Sequence, residues 1–184
     1  MNTDAERHIL TALAGPIIST MYTGGDHAAR YHQWAVALHE ATHAAVATAL
    51  GIRIEAVSII PGPGSLGHCR YRIDATGIAP RSDTSQVLCM LWLSQGCANR
   101  RETRRHLRRL RQRAHDLVRT NLYPIHRLAE ALRARHELPG EEAEQILAAA
   151  RAELAGVLPG AHFQPVERSH AVASHCAAKL VDNG

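Results

Sequence analysis

His39 and His43 stand four residues apart, with Glu40 directly after the first, in the stretch Ala37-Leu38-His39-Glu40-Ala41-Thr42-His43-Ala44. On a helix, positions i and i+4 share a face, so both imidazoles can be aimed at one ion. Glu40 then lies beside the ion rather than on it. There a carboxylate can take a proton from an attacking water and pass it to a leaving amine. Zinc accepts imidazole ligands and lowers the pKa of a water it holds to ~7, which makes hydroxide available near neutral pH. These residues predict zinc-dependent hydrolysis, with His39 and His43 as ligands and Glu40 as general base. The competing reading makes them packed or solvated histidines and a surface carboxylate, and 13 histidines in the chain raise the chance rate of the pattern.

The chemistry requires a helix. Residues 35–49 contain neither Gly nor Pro, and Gly51 is placed to end a helix as the residue after its cap. The pattern predicts a helix from about His27 or Tyr31 to Leu50. Ile52 to Ile60 is β-branched and partly alternating, Pro61-Gly62-Pro63-Gly64 is a turn, and Leu66 to Ile73 reads as a second strand, so a hairpin follows the helix. Before it, residues 4–14 read as a short helix that Gly15-Pro16 breaks, and Gly24-Gly25-Asp26 breaks the pattern again. After the hairpin come a loop over 74–80, an apolar helix over 83–98 and an Arg-rich helix over 102–118. Pro124 kinks that helix or starts another that runs to Arg135. Leu138-Pro139-Gly140 is a turn, and 141–154 is a last helix. The expected fold class is mainly α with a small β-hairpin or sheet (α+β). The expected organisation is an N-terminal helix and loop over 1–26, the main domain over 27–158 and a His-rich tail over 159–184.

A chain of 184 residues is long enough for one domain with a real core, and 46% hydrophobic content makes it globular. Only 4% of residues are aromatic, which favours helices over a β-sandwich. Cys69, Cys89, Cys97 and Cys176 form no CxxC pair and no signal peptide is apparent, so reduced thiols and a cytoplasmic location are expected. No apolar run reaches the ~20 residues of a membrane helix. The net charge of +4 permits an acidic partner without demanding one. Eight arginines fall between Arg100 and Arg113, and the stripe Leu107, Leu110, Ala114 and Leu117 leaves a basic outer face. No aromatics are interleaved for base stacking. A solvated face is the simpler reading, and nucleic acid is not an expected partner. Trp34 and Trp92 read as core anchors, with Trp34 also placed to line a pocket. His68-Cys69 can approach the helix of the motif, although satisfied strand residues are the simpler reading.

From His39 onward the chain resembles the peptidase domain of FtsH-type ATP-dependent zinc metalloproteases and their short stand-alone relatives. The resemblance rests on His39-Glu40-Ala41-Thr42-His43-Ala44, then Val57-Ser58-Ile59-Ile60-Pro61 and Leu66-Gly67. It continues in Arg113-Ala114-His115-Asp116-Leu117-Val118-Arg119, Ile125 to Leu132, Leu138-Pro139-Gly140-Glu141-Glu142 and Ile146-Leu147, so it spans about residues 34–150. It implies a zincin-like peptidase domain with His39 and His43 on zinc, Glu40 as catalytic base and a peptide or protein as substrate. It also makes the strand after the active helix an edge on which an extended peptide would lie. Thr42 stands where the family usually has Gly. No ATPase module or Walker A sequence precedes the motif, so ATP-driven unfolding is not expected of this chain.

The family's third ligand is an Asp on a helix between the two matched blocks. Here that region is short, and Gly96-Cys97-Ala98-Asn99-Arg100-Arg101-Glu102 runs almost directly into the closing helix. Glu102, at the start of that helix, is the first choice for the third ligand. Asp116 is second, with a surface pair to Arg113 or Arg119 as its competing role. The segment from Leu13 to Asp26 itself looks like the missing ligand segment moved to the N-terminus. An unbroken helix from His27 to His39 would hold Asp26 ~20 Å from the metal, so only a break admits it. His162, His170 and His175 of the tail complete the candidates. The short ligand region also motivates a zincin-like enzyme adapted to another hydrolysis or elimination, on a modified peptide or small molecule. A non-catalytic module that binds through its Arg-rich face is the third possibility.

Overall fold

The computed structural model describes residues 4–24, 32–71 and 100–157. Helix α2 (Gln33–Ala49) is the centre of the fold, buried almost continuously from Val36 to Ala47. The small side chains of Ala37, Ala41, Ala44, Ala45 and Ala47 let neighbours approach it from several sides. The helix ends as expected at Gly51 (φ 76°), where Gly51 N–H donates to Thr48 O and Ile52 N–H to Ala47 O. It begins later than expected. His32 is extended (φ −68°, ψ 132°), so α2 does not run unbroken from His27, and the separation that counted against Asp26 no longer applies.

Helix α1 (Asp4–Thr23) corrects the expectation of a helix ending at Ala14, because it runs straight through Gly15-Pro16. Pro16 has no N–H for the carbonyl of Ala12, and an interior proline costs a helix about 3 kcal/mol. Burial offsets it. Ile9, Leu10 and Ile18 are fully buried or nearly so, at roughly 1.5–3 kcal/mol per side chain. Ala14 and Ile18 join the core around α2, while Ile9, Leu10 and Ala12 pack on Leu110 and Ala114 of α3 (Arg100–Thr120).

Strands β1 (Ile54–Ser58) and β2 (His68–Tyr71) form the expected antiparallel hairpin, with Ser58 opposite His68 and Val57 opposite Cys69. Helix α4 (Leu122–Arg135) starts anew after Asn121, with Pro124 in its first turn, where a helix needs no N–H. Leu138-Pro139 is not a plain turn. It belongs to a third strand, β3 (Glu137–Pro139), which pairs antiparallel with β1 through Val57 and Leu138. The sheet order is therefore β2-β1-β3, and β1 is its middle strand. Helix α5 (Gly140–Val157) closes the fold: Glu144 accepts from Ile54 N–H, and Arg151 donates to Ala45 O and Asn121 Oδ1. The fold is mostly helical with a small antiparallel sheet. No described helix is long and apolar enough to cross a membrane. The helix expected over 83–98 and the tail from 159 lie outside the described residues.

At one corner Tyr22 of α1, Trp34 of α2 and His126 of α4 meet. The Tyr22 hydroxyl bonds His126 Nε2, the Trp34 ring meets His126 edge-on at 5.7 Å, and Arg133 lies 5.4 Å over Trp34. Burial pushes the His126 pKa down, against a smaller upward pull from Glu130. A folded-state pKa below the unfolded value means that the unfolded chain binds the proton more readily, so stability falls as pH drops below about 6.5. Thermal melts from pH 7 to pH 5 are expected to show Tm falling with pH, with a shallower fall in His126→Gln. An identical slope in the variant would remove His126 from the account.

Candidate metal centre

His39 and His43 project from α2 toward α1, with their Nε2 atoms 3.1 Å apart. Each ring is held from behind. His43 Nδ1 lies 2.8 Å from the carbonyl oxygen of Thr11, and His39 Nδ1 lies 2.9 Å from Ser19 Oγ. Thr11, Gly15 and Ser19 follow at i, i+4 and i+8, so they share one face of α1 opposite the two histidines. Thr11 partners His43 and Ser19 partners His39, so the two helices run antiparallel here.

The Thr11 bond fixes one proton. A carbonyl only accepts, so His43 Nδ1 must donate, and the neutral ring then carries its lone pair on Nε2. The Ser19 hydroxyl can donate or accept: in one tautomer His39 Nε2–H donates to His43 Nε2, and in the other both Nε2 lone pairs face each other, ready for a shared cation. Two nitrogens on one tetrahedral zinc, each at about 2.0–2.1 Å, lie about 3.3–3.4 Å apart, close to the spacing found.

Gly15 is what lets α1 come this close. A β-carbon on it would sit 2.4 Å from His43 Nε2 and 2.7 Å from both Nε2 and Cε1 of His39, so any side chain there would collide with both rings. The donor chemistry of the two imidazoles fits zinc.

Glu40 is next to His39 on α2, 7% exposed, and borders the sheet at Gly67. A β-carbon on Gly67 would come within 3.0 Å of Glu40 Cγ and 2.7 Å of Ser58 O, so this glycine lets the chain entering β2 lie against the carboxylate. Cys69 is on the same side. Burial, and after it the charge of Glu40, push its thiol pKa well up, so Cys69 is a neutral neighbour of the carboxylate. His39 and His43 are thus brought together as expected.

The third ligand is another matter. Among the described residues no third His, Cys, Asp or Glu joins the pair in a metal-holding group. Asp116 is excluded as that donor. It is exposed on α3, where Gln112 Nε2 donates to it at 3.1 Å. Its partner is thus Gln112, not the Arg113 or Arg119 expected. Glu102 lies in the first turn of α3, but its side chain is outside the described residues, as are Asp26, His162, His170 and His175. Thr11, Gly15 and Ser19 were not anticipated. Their i, i+4, i+8 spacing of small or polar residues in an apolar segment was the available signal. The strand following the motif helix is also not an edge: β3 covers the second side of β1, and among the described residues the edge beside α2 is β2.

No family model, no curated protein and no solved structure matches this chain.

Gly15→Ala is a sharp test of the centre. In a helix interior, alanine normally stabilises by about 1 kcal/mol relative to glycine. Here the added methyl would collide with both imidazoles where the ion would be held. The expected result is a protein with native far-UV circular dichroism whose zinc affinity, measured by competition with a chromogenic chelator, is lower by roughly a hundredfold or more. Undiminished affinity would show that the ion does not sit there.

Proposed function

We propose that this chain is a zinc metallopeptidase with a zincin-like centre, akin to the FtsH-type peptidase domain without its ATPase module. The observation that carries the reading is the pair of Nε2 atoms 3.1 Å apart, each ring held through Nδ1 by α1, which Gly15 allows to approach both rings. His39 and His43 would hold the ion. The third donor is proposed to come from outside the described side chains, with Glu102 and Asp26 as the candidates to test first. When bound, zinc supplies Lewis acidity that makes water a competent nucleophile near neutral pH.

The protein's own groups do the rest. Glu40 receives a proton from the attacking water as its oxygen bonds to the peptide carbonyl carbon. It then delivers that proton to the leaving amine as the C–N bond breaks. Burial among Gly67, Val36 and Cys69 holds the carboxylate in one place and keeps bulk water from competing for that proton. An extended substrate would add to the outer edge of β2, the edge strand beside α2, by main-chain hydrogen bonding. The Leu66-Gly67 segment would lead that strand past Glu40.

Glu40→Gln is expected to keep zinc at one equivalent per chain while cleavage of a fluorogenic peptide library falls by about 10²–10⁴-fold. Loss of zinc together with activity would make Glu40 a ligand instead of a base. Zinc binding by the native protein with no peptide turnover would move the proposal to a different hydrolysis or an elimination. Among Asp26→Ala, Glu102→Ala and Asp116→Ala, one of the first two should weaken zinc binding, and Asp116→Ala should leave it unchanged. Weakening by Asp116→Ala alone would contradict its placement on α3.

A further inference from the structure

The chain's positive charge is concentrated in one place. Eight of its 21 basic residues lie in 100–113 with one acidic residue, so the rest of the chain holds 13 basic and 16 acidic residues. A general preference for arginine does not produce that distribution. Helix α3 buries Leu110, Ala114 and Val118 against α1 and the core, so its apolar side is fully used. Its opposite side is exposed and carries Arg104, Arg105, Arg108, Arg109, Arg111 and Arg119, none of which pairs with a described carboxylate. Arg104, Arg108 and Arg111 form one row at i, i+4 and i+7, with Arg105 and Arg109 beside them. From Arg104 to Arg119 the face is about 22 Å long at 1.5 Å per residue.

We infer that this face of α3 binds a nucleic-acid duplex through its phosphates, without reading its sequence. A protein partner would need an apolar or aromatic anchor at the centre of the contact, and no exposed apolar residue stands among these arginines. An anionic membrane is engaged by helices that also insert an apolar face, and here that face is inside the fold. Single strands are held by stacking on aromatic side chains, which α3 lacks. A duplex backbone asks only for a row of cations. It presents one negative charge per ≈ 1.7 Å of axis, so about a dozen phosphates lie within the reach of the face. Guanidinium groups bind such oxygens in pairs. The face is carried by α3, whereas His39 and His43 meet between α2 and α1.

The test uses the full chain and a fluorescein-labelled 24-base-pair duplex of arbitrary sequence, followed by fluorescence anisotropy from about 50 to 200 mM salt. Binding is expected to weaken steeply with salt and to be insensitive to sequence. The triple variant Arg104→Gln/Arg108→Gln/Arg111→Gln should lower the slope of log K against log salt by about 2.7, or 0.9 per lost contact, and weaken binding at least tenfold at about 100 mM. Removing the exposed Arg53 and Arg127 together should change the slope by less than about one. No binding at about 50 mM salt, or equal loss in the triple and control variants, overturns the inference. So does tighter binding to poly-glutamate or to phosphatidylserine vesicles than to the duplex.

Discussion

Two helices pass so closely at Gly15 that a β-carbon there would stand 2.4 Å from one imidazole nitrogen and 2.7 Å from another. That approach sets the local arrangement. It brings the Thr11 carbonyl and the Ser19 hydroxyl to the Nδ1 side of each ring, which fixes the His43 tautomer and turns both Nε2 atoms toward each other. It also requires α1 to remain helical across a proline, which packing on two sides makes tolerable. A glycine in the interior of a helix is a local weakness; here it is the condition for the geometry.

The second constraint is the exposure of α2 to three neighbours at once. Alanines let α1, α4 and the sheet all pack on it, and a helix so enclosed holds His39, Glu40 and His43 with little freedom. Arg151 strengthens this by bonding α5 to Ala45 of α2 and to Asn121 at the α3–α4 junction. Burial lowers the Arg151 pKa, but guanidinium starts so high that it stays charged at neutral pH. Helix α1 holds the two imidazoles through Thr11 and Ser19, and the chain entering β2 packs on Glu40 at Gly67.

What the sequence made legible follows from the range of the interactions involved. The i, i+4 histidines, Gly51 at the end of α2 and the Pro-Gly turn of the hairpin are local signals, and each is found where expected. Gly15-Pro16 is also a local signal, but it points the wrong way: the residues that end most helices are overruled by the burial of Ile9, Leu10 and Ile18. Strand β3 is three residues long with a proline at an edge, too short for any periodicity to mark. The partners of the imidazoles come from positions 20 and 32 residues away, and one of them is a backbone carbonyl that no side-chain motif can encode.

Zinc K-edge X-ray absorption on the full chain, loaded with one equivalent of zinc and dialysed, tests the central claim most directly. The account predicts one zinc retained per chain, with two histidine scatterers at about 2.0–2.1 Å, and loss of the imidazole signature in His39→Ala/His43→Ala. Zinc that washes out of the native protein, or a spectrum unchanged in a His39→Ala/His43→Ala variant, would contradict it.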